Sequence, residues 1–237
     1  MVQQGALGIT RQRRPAPAGI VSTGGLGHQA PPFYREGKGV LCGPKPRTIS
    51  TDKEKIMLLT QLTREHTNIS RLLAVLEEEL AGLERGDGVN YRLLRDVAEY
   101  LIPHAEQHHH CLEDQIYTYF STQYPDEAAQ IASLAQAHEM LSAACQQFYA
   151  LLQMVMADQI IPTALLTEKV RYFIALQRQH IVLEEQQIFP LLKTTLQPAD
   201  WQQLMGQLQP LTADPLFGDA ITAQYVQLAT RLQSAVS

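Results

Sequence analysis

The most constraining feature of this sequence is a His-x-x-x-Glu pair that occurs twice in one chain. Residues four apart lie on the same face of a helix, so each pair can offer an imidazole and a carboxylate to one point in space. One further histidine precedes each pair, by 43 residues in the first unit and by 42 in the second. The two units together comprise His66, His109, Glu113, His138, His180 and Glu184.

The apolar pattern around these residues is helical. Apolar side chains recur at steps of three and four, and the histidines lie on the apolar stripes. No segment long enough for a β-strand alternates apolar and polar residues with a period of two. We therefore predict an all-α fold, an antiparallel up-down-up-down four-helix bundle with a C-terminal helical extension and a disordered N-terminal segment. Pro103 lies inside the second predicted helix, where it is expected to cause a kink or a break.

Composition divides the chain into three segments. Residues 1–50 hold six of the thirteen prolines, most of the fourteen glycines, and seven lysines and arginines against one acid. This composition predicts a disordered basic segment. A plain alternative is that the native chain begins at Met57, close to the start of the helical pattern. Residues 51–197 are predicted to form the bundle and residues 198–237 the helical extension.

Charge and cysteine usage exclude several classes of protein. The net charge is −5 in spite of the basic first segment, and an acidic main body argues against a nucleic-acid partner. The three cysteines show no paired framework, which favours a reducing compartment and a cytoplasmic location. No apolar run reaches the length of about 18 residues that a membrane span needs, and no secretory signal is evident.

The six residues favour a metal site over simple packing. One histidine on an apolar helix face is usually a core residue with a hydrogen bond, but two carboxylates at the centre of a bundle are rare unless they are paired or bind metal. Bridging carboxylates with terminal imidazoles suit iron or manganese pairs. A structural zinc site would be closed and rich in cysteine. If the four histidines divide equally, each ion keeps one open position beside a solvent bridge.

The order His, His-x-x-x-Glu, His, His-x-x-x-Glu resembles the hemerythrin-like family of HHE-type cation-binding domains over roughly residues 55–195. The stretches HHHCLED and HIVLEEQQIFP are similar to the family's motifs, and DPLFG resembles a segment that follows the bundle in bacterial members. The resemblance implies two iron ions in an oxo- or hydroxo-bridged centre within a four-helix bundle. The ligands that it implies are His66, His109, Glu113, His138, His180 and Glu184.

Two departures from the oxygen-carrying hemerythrins matter. Those proteins have a second histidine four residues after the first on the third helix, where this chain has Ser142, and their last carboxylate is an aspartate rather than Glu184. The missing histidine is expected to leave both irons open. The chain therefore resembles more closely the six-ligand members linked to nitrosative stress and to the repair of iron centres.

Three residues are candidates for an outer shell around the ligands. Asp114 and Glu185 each follow a ligand glutamate and could accept an N–H from a ligand histidine, although plain surface acids are an equal alternative. His110 follows His109 but points about 100° away on a helix, which suits an outer or a reserve ligand. A rival register pairs Glu106 with His109, as in ferritin-like sites, but the fourth helix has no matching Glu-x-x-His.

These observations lead to one functional expectation and two alternatives. We expect a di-iron protein that binds or reacts with dioxygen, nitric oxide or hydrogen peroxide, in stress response or iron-centre repair. The alternatives are an iron- or oxygen-sensing binding module and an iron store or donor. The expected partner is a small diatomic ligand, with neither nucleic acid nor membrane. The sequence identifies no protein redox partner or client, and it does not decide whether the protein is an enzyme.

Overall fold

The computed structural model describes residues 51–208 and 213–234. Every regular element in these residues is helical, which confirms the all-α prediction. The predicted disordered segment, residues 1–50, lies outside the described residues. Among the described helices, none combines the length and the apolar character that crossing a lipid bilayer requires.

Four helical paths carry the candidate residues, and two of them change their winding midway. The first path is α1 (Thr51–Arg85), and the third is α4 (Leu134–Met156). The second path consists of α2 (Tyr91–Leu101), a π-helical segment (Ile102–His109) and α3 (His110–Gln123). The fourth consists of α5 (Thr163–Leu183), a π-helical segment (Glu184–Ile188) and α6 (Phe189–Thr195), and α7 (Pro198–Gln207) and α8 (Val226–Ser234) follow it.

The apolar core of the described residues is divided into two clusters. Cluster A includes Leu73, Leu94, Phe148 and Phe173. Cluster B includes Leu62, Phe120, Leu134, Ile188 and Trp201. The candidate histidines and glutamates lie between the two clusters along each of the four paths, so a polar layer crosses the middle of the molecule.

The order of these clusters along the chain reveals the directions of the helices. The chain runs from cluster B to cluster A along α1 and α4, and from A to B along the second and fourth paths. The helix α1 packs against α2 and α5, and α4 packs against the same two helices. This alternation within a closed ring of contacts is compatible with the predicted up-down-up-down bundle.

Pro103 does not break the second path. Proline has no N–H, and in an α-helix its ring would collide with the carbonyl of the residue four positions earlier, here Glu99. The backbone widens into the π-helical segment at this point, and the Tyr225 hydroxyl donates to the Glu99 carbonyl at 3.2 Å. The helix therefore continues through the proline and carries His109 into the polar layer.

The C-terminal extension is fixed to the bundle at two places. Trp201 of α7 is buried in cluster B. In the DPLFG turn, the Asp214 carboxylate accepts hydrogen bonds from the Tyr100 hydroxyl at 2.9 Å and from the backbone N–H groups of Leu216 and Phe217. Glycine is required at position 218 because a Cβ there would collide with the Asp214 carbonyl oxygen. The extension belongs to one compact unit with the bundle, Arg47–Ser237.

The Tyr225 hydrogen bond provides a test of how the chain accommodates Pro103. We expect Tyr225→Phe to lower the free energy of unfolding by about 1 kcal/mol, because the Glu99 carbonyl loses the hydrogen bond from the Tyr225 hydroxyl. Tyr172→Phe is the matched control, since this ring is half exposed and its hydroxyl makes no hydrogen bond in the described structure. Urea denaturation measures both variants. Equal stability of the two would show that the Tyr225 hydroxyl does not support the helix.

Candidate metal centre

Seven buried histidines and glutamates meet in the polar layer, and they come from all four helical paths. His66 comes from α1, His138 from α4 and His180 from α5. The carboxylates of Glu113 and Glu184 have no exposed surface. Six of them are the residues that the spacing predicts, and the seventh is His110; the six are His66, His109, Glu113, His138, His180 and Glu184.

Ligand atoms within this layer form two groups, and within each group they lie within 4.8 Å of one another. The first, called here the two-histidine group, consists of His66, His109, Glu113 and Glu184. The second, called the three-histidine group, consists of His110, Glu113, His138 and His180. Glu113 belongs to both groups, so one carboxylate lies between two positions that could each hold a cation.

Short distances join the imidazoles to the carboxylates. The Nε2 atom of His180 lies 3.1 Å from Glu184, and that of His109 lies 3.3 Å from Glu113. The Nε2 atom of His66 lies 3.3 Å from Glu184 and 3.5 Å from Glu113. These separations bring together lone pairs that one bound cation could share.

Several of these buried atoms have no hydrogen-bond partner within the described structure. They are the Nε2 atoms of His66 and His109, both carboxylate oxygens of Glu113, and one oxygen of Glu184. Buried polar atoms are almost always satisfied in folded proteins, and a cluster of unsatisfied atoms that face one another calls for an explanation. A pair of cations coordinated by these atoms would satisfy all of them, so the donor set fits a two-metal centre.

His110 lies closer to the centre than the outer position considered from the sequence. Its ring stacks on His138 with centroids 4.3 Å apart and an interplanar angle of 7°, and it meets His180 edge to face at 5.3 Å. His109 is the last residue of the π-helical segment, and the His110 N–H donates to the carbonyl of Ala105, five residues earlier. As a result, His109 belongs to the two-histidine group and its neighbour His110 belongs to the three-histidine group.

Three acids outside the layer orient three of the imidazoles. The Nδ1 atom of His66 lies 3.1 Å from Glu185, and the Nδ1 atoms of His109 and His138 each lie 2.8 Å from a carboxylate. An acceptor at Nδ1 holds the proton there and leaves Nε2 free to face a cation. The three outer acids are Glu65 for His109, Asp114 for His138 and Glu185 for His66.

The sequence reasoning identified Asp114 and Glu185 as candidates but missed Glu65. The available signal was adjacency, because each of the three acids stands next to a candidate ligand in the chain. Glu65 precedes His66, yet its carboxylate serves His109 of the neighbouring path. The pairing depends on which helices are neighbours, and a single sequence does not state that.

Tyr117 closes the side of the layer that faces cluster B. Its hydroxyl donates to Glu184 at 2.6 Å, and both side chains are buried. Burial and the nearby carboxylates raise the pKa of Tyr117 well above its ordinary value, so the phenol stays protonated and remains a donor. Beside it, Phe189 stacks on His66 with centroids 5.4 Å apart.

The carboxylates control protonation in the metal-free layer. Burial disfavours the charged form of His66, but Glu113 and Glu184 outweigh this effect and raise its pKa to about 10. Burial likewise opposes charge on His138, yet Asp114 and Glu184 raise its pKa to about 9. His110 differs, because burial and the neighbouring imidazoles lower its pKa well below the ordinary value. Without a metal, protonated imidazoles therefore neutralise the inner carboxylates.

The two other described histidines, His104 and His108, belong to neither group. His104 stacks on Tyr100 with centroids 4.7 Å apart and its ring contacts His108, so this pair follows a different face of the helix. The Ser142 hydroxyl accepts a hydrogen bond from Gln146 on its own helix. The side chain of Glu106, which the rival register would require, lies outside the described residues.

Comparison with known proteins shows a family for this chain. A family model described as the hemerythrin HHE cation-binding domain matches residues 57–192. The matched range covers more than half of the chain and contains every residue of both groups. Searches of curated proteins and of solved structures returned no match.

The outer acids provide a test of the metal centre. We expect Asp114→Asn to weaken metal binding by roughly tenfold or more, because a neutral amide supports His138 less strongly than a carboxylate does. Asp126→Asn, which changes an exposed acid far from both groups in the chain, is the control. Competition with a chelator of known affinity measures the effect. Identical affinities for the two variants would count against a metal-bound His138.

The raised pKa values predict how the metal-free chain responds to pH. Protonated His66 and His138 contribute stability that is complete below the ordinary histidine pKa of 6.5 and is lost as pH rises through about 9 to 10. His110 acts with the opposite sign, but only below about 6.5, where the unfolded imidazole would be charged. The melting temperature of chelator-treated protein should therefore fall between pH 6.5 and pH 10. A flat profile across this window would contradict the assignment.

Proposed function

This chain belongs to the hemerythrin HHE cation-binding family, and on that basis we propose that it is a non-haem di-iron protein whose centre binds or reacts with dioxygen, nitric oxide or hydrogen peroxide. The observation that carries the proposal is Glu113, a fully buried carboxylate shared by two groups of candidate ligands. A carboxylate between two cations is typical of iron pairs in helical bundles. The proposed scaffold is the antiparallel up-down-up-down four-helix bundle.

The donor set supports iron over zinc in a structural role. Five imidazoles and two carboxylates form a mixed nitrogen and oxygen environment, which suits iron or manganese pairs. Zinc in a structural role would favour thiolates, and Cys145, which is buried, belongs to neither group. The bound iron pair would supply reversible one-electron redox chemistry and an open coordination position for a small molecule.

The two groups are unequal in nitrogen donors, in contrast to the equal division expected from the sequence. The three-histidine group has one more imidazole than the two-histidine group, which instead includes Glu184. Glu184 lies 3.7 Å from His138 and 3.1 Å from His180. If it also contributes to the position of the three-histidine group, that position has five protein donors. Together with a solvent bridge, these donors would leave no coordination site for a further ligand. The proposed site of small-molecule binding is then the position held by His66 and His109.

The surroundings restrict which molecules can reach the centre. Clusters A and B cover the layer from both ends of the bundle, and the side chains of both groups are almost fully buried. Tyr117 holds one oxygen of Glu184, and the outer acids hold three imidazoles by Nδ1. A buried centre of this kind, held by many hydrogen bonds, suits molecules of two or three atoms rather than large organic substrates.

A sensing role is a second candidate, and one cavity favours it. A cavity of about 630 Å³ is lined both by Glu65 and His109 of the centre and by Asp214 and Phe217 of the C-terminal turn. If His109 or Glu65 moved when metal binds, the shape of this cavity, and with it the packing of the turn, would change. Metal-dependent protection of the turn from proteolysis would favour sensing, whereas stopped-flow consumption of nitric oxide or peroxide would favour chemistry.

Anaerobic reconstitution with ferrous iron tests the proposed centre. We expect about two irons per chain and, after exposure to air, the charge-transfer absorption of an oxygen-bridged ferric pair. Glu113→Gln should bind substantially less than two irons, because both groups lose their shared anion. Glu168→Gln, at an exposed acid on α5, is the control and should bind as the wild type does. Full loading of the Glu113 variant would contradict the shared-carboxylate assignment.

A further inference from the structure

Gln177 is a fully buried polar residue that belongs to neither group of candidate metal ligands. Its side chain has no exposed surface, and neither its amide oxygen nor its amide nitrogen has a hydrogen-bond partner in the described structure. An unpaired buried amide destabilises a folded chain unless something else occupies its hydrogen-bonding atoms. The sequence pattern places Gln177 on the inner stripe of α5, three residues before His180.

The position of Gln177 relative to the centre follows from its spacing. It lies one helical turn from His180, on the side of the layer that faces cluster A. The residues at the corresponding turn of the other three paths are Ile69, Ala105 and Leu141, all of them buried. These side chains offer no hydrogen bond. Gln177 is therefore the polar member of an apolar ring above the ligand layer.

Elsewhere around the centre, polar contacts to the candidate ligands are already made by other residues. Tyr117 serves Glu184 on the side of cluster B, and the outer acids serve the Nδ1 atoms of three imidazoles. On the cluster A side, Gln177 is the member of the four-residue ring whose side chain carries a hydrogen-bond donor. Gln177 lies on α5, which packs against α1, the helix that carries His66. A small molecule bound on the cluster A side of the His66 and His109 position would therefore lie beside this amide.

We propose that the Gln177 side-chain amide donates a hydrogen bond to a small anionic molecule bound at the centre and so selects for ligands with negative charge on their outer atom. This inference rests on the proposed di-iron function. An N–H donor in a dry site stabilises a charged acceptor more strongly than a neutral one. Azide is a suitable probe, because it is a three-atom anion and carries negative charge at its free end. Gln177 would thus bind the small molecule directly, and it would not hold a metal.

The test compares Gln177→Met with the wild type and with Leu141→Met. Methionine matches the length of glutamine without its donors, and the Leu141 change replaces one apolar side chain with another in the same ring. We expect all three proteins to bind about two irons per chain. Iron-loaded Gln177→Met should bind azide roughly tenfold or more weakly than the other two, as an optical titration measures.

A second readout needs no metal. The metal-free Gln177→Met protein should melt roughly 2–4 °C higher than the wild type, because it no longer buries an unpaired amide. If methionine prevents folding, Gln177→Leu serves in its place. An unchanged or lower melting temperature would show that the amide is already satisfied in the metal-free chain, and this would overturn the inference.

The remaining outcomes separate this inference from the proposed function. A wild type that binds fewer than two irons would overturn the di-iron function, and the inference with it. Normal iron loading with equal azide affinities in all three proteins would overturn the inference alone. Weaker iron binding by Gln177→Met with unchanged azide affinity would also overturn it, and would make Gln177 a support for His180, whose Nδ1 atom is likewise without a hydrogen-bond partner.

Discussion

The structure depends on the burial of two carboxylates, Glu113 and Glu184, in the centre of an apolar bundle. An isolated carboxylate in such a place would cost far more than the net stability of a domain, so the chain must surround it with positive charge. Imidazoles from all four helical paths do so, and in the metal-free chain protonation of His66 supplies part of that charge. The same arrangement that neutralises the carboxylates is the one that would coordinate a pair of cations.

Two π-helical segments make this arrangement possible, and both occur at the polar layer. The first ends at His109 and the second begins at Glu184, so each widened turn includes a candidate ligand. Widened turns of this kind are frequent at functional sites because they change which side chains share a face. In the first segment the change brings His109 and His110 into different groups. A strict α-helix would separate these two neighbours by about 100° and offer the centre only one of them.

The shift at His110 also changes the meaning of Ser142. From the sequence alone, the missing histidine on the third path predicts a centre with six protein ligands and two open positions. In the structure Ser142 bonds to Gln146 instead, while His110 of the second path supplies a fifth imidazole. The donor that one helix lacks is thus available from another. In the proposed centre this fifth imidazole would leave fewer open positions than the spacing suggests, and the difference between the two groups would decide where a small molecule binds.

The spacing of residues alone predicted the all-helical fold and the burial of the six histidines and glutamates. Helical periodicity is a local property, and the two residues of each His-x-x-x-Glu pair lie on the same face of a helix. Only the tertiary structure decided the partners: Glu65 serves His109, Tyr117 serves Glu184, and Gln177 is left without a partner. These pairings join residues distant in the chain, and they follow from which helices pack together and where Pro103 and the second π-helical segment alter the winding. Local periodicity carries no information about either.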